Sequence, residues 1–557
     1  MKKSETLNLV TPFAENNVKA PWEEYPRPSL ARDSYLSLNG KWEIEAKDFH
    51  GEITVPFPPE SSLSGIGKSL GEAYVYKRKF TIPDGFDKGR VLLHFGAVDS
   101  EATVFVNGKE VGFHEGGYLD FTLDVSGVAN VGENSIEVQV VDRLDSDMPY
   151  GKQRRKRDGM WYTPISGIWQ SVWIESVPQN YIEGIEIFPS LTSVKIKVRG
   201  CEGKKLIILE NGQSCEFEGG EVTLEVSNPE NWTPENPKLY SFTLESGEDR
   251  VSSYFALRTI EAKDGRLLLN GKPYFFHGLL DQGYFSDGIY TPASPEGYKF
   301  DILTAKRLGF NMLRKHIKVE PELFYYYCDK YGMAVFQDFV NSGKYNFIID
   351  TALPTLGLKR GISHFASAAR RHRFEEDGTL LIKKLFNHPS VVYYTIFNEG
   401  WGQYDADRLY EKFKKQDESR IFDATSGWFF EKKSDVDSHH VYFKPIKLKM
   451  KKRPLVLSEF GGYSCKADGH CFNPHKEYGY KHFESLEALE KGLSELYLEQ
   501  VVPAVKNRLS ASVLTQLSDV EDETNGLFTY DRRVIKVSEK TMLDIRKAID
   551  EALGGAT

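Results

Sequence analysis

The sequence predicts a multidomain β and α/β chain in three parts: an N-terminal jelly-roll-like β-sandwich, an immunoglobulin-like β-sandwich and a C-terminal (β/α)8 barrel of the TIM type. Three observations carry this reading. Residues 1–180 and 181–260 hold many short alternating segments without helical spacing. From residue 261 strand-like runs alternate with longer helical patterns, as βαβ units do. Two of those runs end in a glutamate just where the chain turns polar and glycine-rich. That is how a buried parallel strand brings a side chain to the open rim of a barrel. At 557 residues a single core is not expected.

In the first part the strands are Tyr74–Phe80, Arg90–Phe95, Ala102–Val106, Ser135–Val141 and Gln170–Ile174, with turns at Asn107-Gly108 and Gly116-Gly117. Such strands without helices imply a sandwich or jelly roll, read as a sugar-binding domain once the resemblance below is drawn. The second part holds Ser193–Val198, Lys205–Leu209 and Leu239–Leu244, enough for a small sandwich. The third part supplies eight candidate strands: Tyr274–Leu280, Asn311–His316, Ala334–Phe339, Val391–Phe397, Ile421–Ser426, Val436–Tyr442, Leu455–Glu459 and Ser512–Leu517. Helical segments such as Pro295–Leu308, Pro321–Tyr331 and Leu486–Asn507 fall between them. The Lys-rich stretch Lys444–Arg453 reads as a loop or exposed helix.

Hydrophobic residues make up 40% and charged residues 27%, which describes a globular chain rather than a disordered one. The net charge of −9 argues against a nucleic-acid partner, which needs a basic face. The one basic run, Lys152–Arg157, is short and reads as a solvated loop face. Five irregularly spaced cysteines suit a reducing compartment. The N-terminal Met1–Asn8 has no apolar core of a leader, and no run is long enough for a membrane span. A cytoplasmic protein without a membrane partner is expected; association of identical chains is left open.

The two glutamates are Glu399, in Asn387-His-Pro-Ser-Val…Asn398-Glu399-Gly-Trp401, and Glu459, in Ser458-Glu459-Phe-Gly. They follow the fourth and seventh strands, so they face each other across the barrel mouth. A retaining glycosidase needs one ionised carboxylate under the anomeric carbon and one protonated carboxyl beside the glycosidic oxygen, about 5–5.5 Å apart. We assign Glu459 as nucleophile and Glu399 as general acid and then base. Glu399 is expected to be raised in pKa by its neighbour's charge and by desolvation. Asn398 would bond the hydroxyl next to the anomeric centre.

These segments resemble glycoside hydrolase family 2, the family of β-galactosidases, β-glucuronidases and β-mannosidases. Asn387–Glu399 resembles its acid/base signature, Asn311-Met-Leu-Arg314-Lys-His316 its second signature and Ser458-Glu459-Phe-Gly its nucleophile segment. Val104–Gly112, Ser166-Gly-Ile-Trp169 and Trp232–Tyr240 resemble its sugar-binding and immunoglobulin-like domains. There are departures. Tyr394 stands for a usual Trp, Lys315 for a small residue, and Ile317-Lys318 for Tyr-Pro. The Asn-x-Lys motif of the family's β-glucuronidases has no lysine in Glu521–Phe528, so glucuronidase activity is not implied.

Around the pair, Arg314 is read as bracing Glu459 or as a barrel-core ion pair, the two being compatible. His316 is a candidate for sugar hydroxyls. Asp281 and Asp338 end the first and third strands, as sugar acceptors or as caps. Tyr442 resembles the family's hydrogen-bond partner of the nucleophile, and His440 precedes it on the sixth strand. Trp401 and Trp428 are stacking platforms or packing. Cys465, His470, Cys471 and His475 lack zinc-site spacing, so no metal and no cofactor are expected. The expected activity is a retaining exo-β-glycosidase on small saccharides, β-galactosidase-like from family frequency. The alternatives are a β-hexuronidase (glucuronide or galacturonide) using Lys318 or Lys344, and a non-catalytic carbohydrate-binding protein, which the intact glutamates disfavour.

Overall fold

A computed structural model describes residues 6–15, 21–359, 363–449 and 452–554. Met1–Glu5 and residues 450 and 451 of the Lys-rich stretch lie outside the described residues; the rest of Lys444–Arg453 is non-helical loop.

The N-terminal part is a two-sheet antiparallel sandwich. A six-stranded sheet includes Gly40–Ala46, Ala73–Ile82, Gly132–Val141 and Glu101–Val106; a four-stranded sheet includes Arg90–Phe95 and Val172–Val177. Alternation explains it: Gly132–Val141 puts Ile136, Val138 and Val140 inward in one core with Tyr76, Val104 and Phe95, and Glu133, Ser135 and Gln139 outward. The next sandwich pairs Gly184–Pro189, Ser193–Arg199 and Glu221–Glu225 in one sheet and Ser214–Phe217, Lys205–Leu209, Tyr240–Ser246 and Asp249–Phe255 in the other. Ile196, Ile207, Leu244 and Phe255 fill its core.

The barrel strands are β1 (Phe276–Asp281), β2 (Met312–Lys315), β3 (Ala334–Asp338), β4 (Val391–Asn398), β5 (Ile421–Ser426), β6 (Asp437–Val441), β7 (Leu455–Gly461) and β8 (Leu509–Thr515). They pair in parallel in the order β5-β4-β3-β2-β1-β8-β7-β6. No backbone ladder joins β5 to β6. They lie side by side, and Ser438 Oγ donates to the Thr425 carbonyl at 3.4 Å, so the barrel is nearly closed. Helices α1 (Glu296–Arg307), α2 (Glu322–Tyr331), α3 (Ala368–Leu385), α4 (Ala406–Gln416), α5 (Leu486–Leu496) and α6 (Glu539–Gly554) surround it. All eight strands are buried along nearly their whole length; Val391–Asn398 reads as an almost continuous apolar run, whereas β2, β5 and β6 bury polar residues such as Arg314, Asp423 and His440. At the N-terminal end of the barrel the fully buried Trp232 shares one core cluster with Met312, Phe336 and Tyr393, and its indole donates to the Asp329 carbonyl at 2.8 Å.

The N-terminal sandwich docks at the opposite end. Thr11 Oγ1 donates to Asp287 at 2.6 Å, Thr163 N donates to Glu521 at 3.0 Å, and the Tyr162 hydroxyl donates to Glu523. Trp161 packs edge-on against Trp401 with ring centres 5.0 Å apart.

Candidate active site

The site is assembled by strand ends. β4 finishes at Asn398, and Glu399 turns at once into a left-handed backbone, φ 52°, with its N–H donating to the Ser426 carbonyl at 3.1 Å. Such a conformation is strained for a residue with a Cβ, and it swings Glu399 out of the ladder over the mouth. Glu459 is aimed by an irregularity in β7. The register with β6 skips from His439–Leu457 to His440–Glu459, so Ser458 is an extra residue, and the β8 side shifts in the same place. A bulge of this kind re-aims a side chain.

One oxygen of Glu399, one of Glu459 and a ring nitrogen of His440 lie within 4.8 Å of one another. His440 Nδ1 sits 2.8 Å from Glu399 Oε1 and 3.4 Å from Glu459 Oε2, so the imidazole bridges the two carboxyls. Its ring has room because residue 427 is glycine: a Cβ there would stand 2.3 Å from the imidazole, and the backbone is at φ 82°. Among the described residues this trio alone has the spacing of metal ligands. His470 instead pairs with Asp531 at 2.8 Å, and Cys465 and Cys471 are free, buried thiols.

Arg314 organises the floor. Its guanidinium, 1% exposed, donates to Asp338 Oδ1 at 3.0 Å, Glu459 Oε1 at 3.1 Å, the Ser458 carbonyl at 2.9 Å, Asn398 Oδ1 at 2.8 Å and Ser426 Oγ at 3.1 Å. The planar fork thus ties β2 to β3, β4, β5 and β7. Because Asn398 Oδ1 accepts from Arg314 and from Ser426 Oγ at 2.9 Å, its NH₂ is left as the donor toward the mouth. Tyr442 donates to Glu459 Oε2 at 2.5 Å and lies 2.9 Å from Thr515 Oγ1.

Burial pushes the Glu459 carboxyl up, but the charges of His440 and Arg314 outweigh it and hold it below the ordinary value. Burial likewise pushes Glu399 up. The hydrogen bond and charge of His440 overcome it and, helped by the Trp428 indole and the Lys152 ammonium, bring Glu399 down to about 2. This corrects the expectation of a raised Glu399. That expectation weighed burial and the Glu459 charge, and did not weigh an imidazole between the two.

Other expected sugar contacts fall differently. Asp281 is engaged inside the protein, with Oδ2 on Lys315 Nζ at 2.6 Å and Oδ1 accepting from Gly283 N at 2.8 Å. Asp338 divides its oxygens between Arg314 and His316 Nδ1, the latter at 2.7 Å. Neither has a carboxylate oxygen free of protein partners to take a pair of vicinal hydroxyls. His316 is different. Burial first, then Lys152, brings its pKa to about 4, so the ring is neutral; with Nδ1–H on Asp338, the buried, unpartnered Nε2 is an acceptor. Trp401 is buried, with its indole donating to the Gly343 carbonyl at 2.7 Å, so it packs the wall. Trp428 is partly exposed beside His440. Lys318 is buried on Glu320 at 2.9 Å and on backbone carbonyls, and Lys344 is exposed.

Sequence reading missed Lys152. Read as part of a solvated run, it instead has a carbonyl that accepts from Tyr162 N at 3.0 Å, and its charge acts on Glu399, His316 and Glu523. The neighbouring Gly151, and Tyr162 ten residues on, were the available signals, since both contact the barrel.

Two carboxylates and an imidazole thus converge at the mouth of an eight-stranded barrel that follows two β-sandwiches in the chain. The chain belongs to glycosyl hydrolase family 2: profiles of that family match residues 12–178 (sugar binding domain), 188–258, and 260–541 (TIM barrel domain). A β-galactosidase of Aeromonas hydrophila is 27% identical over 438 residues, covering 69% of this chain and 40% of that one. A β-glucuronidase of Canis lupus familiaris is 27% identical over 444 residues, covering 67% and 65%. The chain spans 40% to 49% of the length of three β-galactosidases it matches. The fold is shared with a β-D-glucuronidase of Dictyoglomus thermophilum (TM-score 0.76, 20% identity, 95% and 98% coverage) and a β-galacturonidase of Eisenbergiella tayi (0.68, 19%, 95% and 98%).

Proposed function

We propose that the chain is a retaining exo-β-glycosidase acting by double displacement on a terminal, non-reducing β-linked sugar. The observation that carries this is the approach of Glu399 and Glu459 within 4.8 Å, which fits a nucleophile and an acid/base and leaves too little room for the water of an inverting enzyme. Glu459, ionised and held by Arg314 and Tyr442, attacks the anomeric carbon. Glu399 delivers the proton of its bond to His440 to the departing oxygen. When Glu459 becomes a neutral ester, Glu399 deprotonates the incoming water. Asn398 and His316 offer a donor and an acceptor to ring hydroxyls.

Following the first product by proton NMR on a 4-nitrophenyl β-glycoside tests the stereochemistry: the β-anomer is expected first, and an α-anomer refutes double displacement. Glu459→Gln is expected to abolish turnover while retaining sugar binding. Azide is expected to restore turnover of an activated glycoside by Glu399→Ala, since only acid/base help is lost there. The names of the relatives make β-galactosides and β-hexuronides the two sugar classes to try. The cation at Lys152 favours the hexuronide.

A further inference from the structure

The N-terminal sandwich reaches into the barrel mouth through residues 150–162. Tyr150 N donates to the Asn341 carbonyl at 3.2 Å, and its hydroxyl donates to the Gly343 carbonyl at 3.1 Å. Gly151, at φ 70°, lies so close to the turn after β2 that a Cβ would stand 3.2 Å from the Ile317 carbonyl and 2.4 Å from the Tyr118 hydroxyl. Lys152 follows. It is pinned from the other side by Tyr162, whose hydroxyl reaches Glu523 in the loop after β8. The Lys152 backbone is therefore clamped between the ends of β2 and β8, next to His316.

Lys152 is half-buried as a residue, and among the described residues its ammonium makes no hydrogen bond and no ion pair. The acids nearby are already satisfied. Glu521 accepts from Thr163 N at 3.0 Å and pairs with Arg157 at 3.4 Å; Glu523 accepts from Tyr162 and from Asn525 at 3.0 Å. The other lysines on this rim are not available: Lys315 and Lys318 are buried on Glu320 at 2.8 and 2.9 Å. A lysine ammonium without a hydrogen-bond partner is a compact point charge that can take an anionic ligand group in addition to the Glu399 and Glu523 carboxylates its charge already reaches.

We propose that Lys152 is a specificity-determining residue that binds the carboxylate of a terminal hexuronide, supplying from the N-terminal sandwich the cation that the loop after β8 lacks. This rests on the glycosidase reading and names its substrate class. The neutral His316, with Nε2 as acceptor, would take a hydroxyl of the same ring.

The test compares kcat/KM on 4-nitrophenyl β-D-glucuronide and β-D-galacturonide with the matched glucoside and galactoside. The wild type is expected to favour a uronide. Lys152→Met is expected to lower the uronide-to-neutral ratio about 10- to 100-fold, the worth of a charge-assisted contact. Lys152→Arg is expected to keep part of the ratio, and Lys344→Ala all of it. If Lys152→Met does not fold, Lys152→Gln gives the same readout. A wild type that prefers neutral glycosides, or a ratio unmoved in the Lys152 variants, overturns the proposal and leaves the glycosidase reading standing. Turnover of none of the four glycosides refutes the glycosidase reading itself.

Discussion

At the residue scale the site works by division of labour around His440 and Arg314. Tyr442 is a single donor on Glu459, at 2.5 Å. Tyr442→Phe is expected to lower kcat about 10- to 100-fold with little change in fold, as loss of one aimed donor does; steady-state kinetics alongside thermal unfolding checks it. The glutamates were legible because each carries its local sentence: Asn before Glu399, Phe-Gly-Gly after Glu459. Asp281 was misread because a strand-end carboxylate looks the same in sequence whether it faces solvent or a lysine. Lys315, one of the departures noted from the family pattern, was the sign that Asp281 already had a partner. His440 stood out in the sequence only by preceding Tyr442 on the sixth strand. Its bridging position depends on β4, β6 and β7 meeting in space, and on the absence of a Cβ at residue 427.

At the element scale the strand positions were legible because short runs of five to seven residues alternate with longer helical patterns, the apolar ones such as Val391–Phe397 most plainly. The bulge at Ser458 was not, since nothing in Leu455–Gly461 marks the extra residue. A second hidden feature is Asp423 on β5, buried within the barrel and 3.0 Å from the Tyr393 hydroxyl. Burial raises its carboxyl to about 6, hydrogen bonds to Ser438 and Tyr393 only partly opposing it. A folded pKa above the unfolded value favours folding at acid pH, and that advantage is lost as pH rises from about 4 to 6. Asp423→Asn is therefore expected to remove roughly 3 kcal/mol of pH-dependent destabilisation, about half of it between pH 5 and pH 8. Urea unfolding at pH 5 and pH 8 reads it: the difference between the two should shrink in the variant. Trp232→Ala, which empties a fully buried indole site in the cluster with Met312, Phe336 and Tyr393, is expected to cost about 3–5 kcal/mol by the same measurement.

At the scale of the whole molecule, the mouth belongs to two folding units. Tyr162→Phe leaves the buried Glu523 without its hydroxyl partner, and a loss of about 1–3 kcal/mol is expected by calorimetry, with a lower kcat/KM because Lys152 is held from the same segment. The sequence displayed each unit by its periodicity but not their embrace, because contacts between residues 360 positions apart leave no local pattern. A last consequence follows from the unlaced edge between β5 and β6. His440 hangs beside that opening, with Gly427 across from it. A cylinder fastened everywhere else by amide ladders should part there first on warming, letting the imidazole drift from its carboxyls before the chain unravels. Rapid deuterium uptake along Asp437–Val441, and inactivation several degrees below the calorimetric midpoint, are the expected marks of that weak zip.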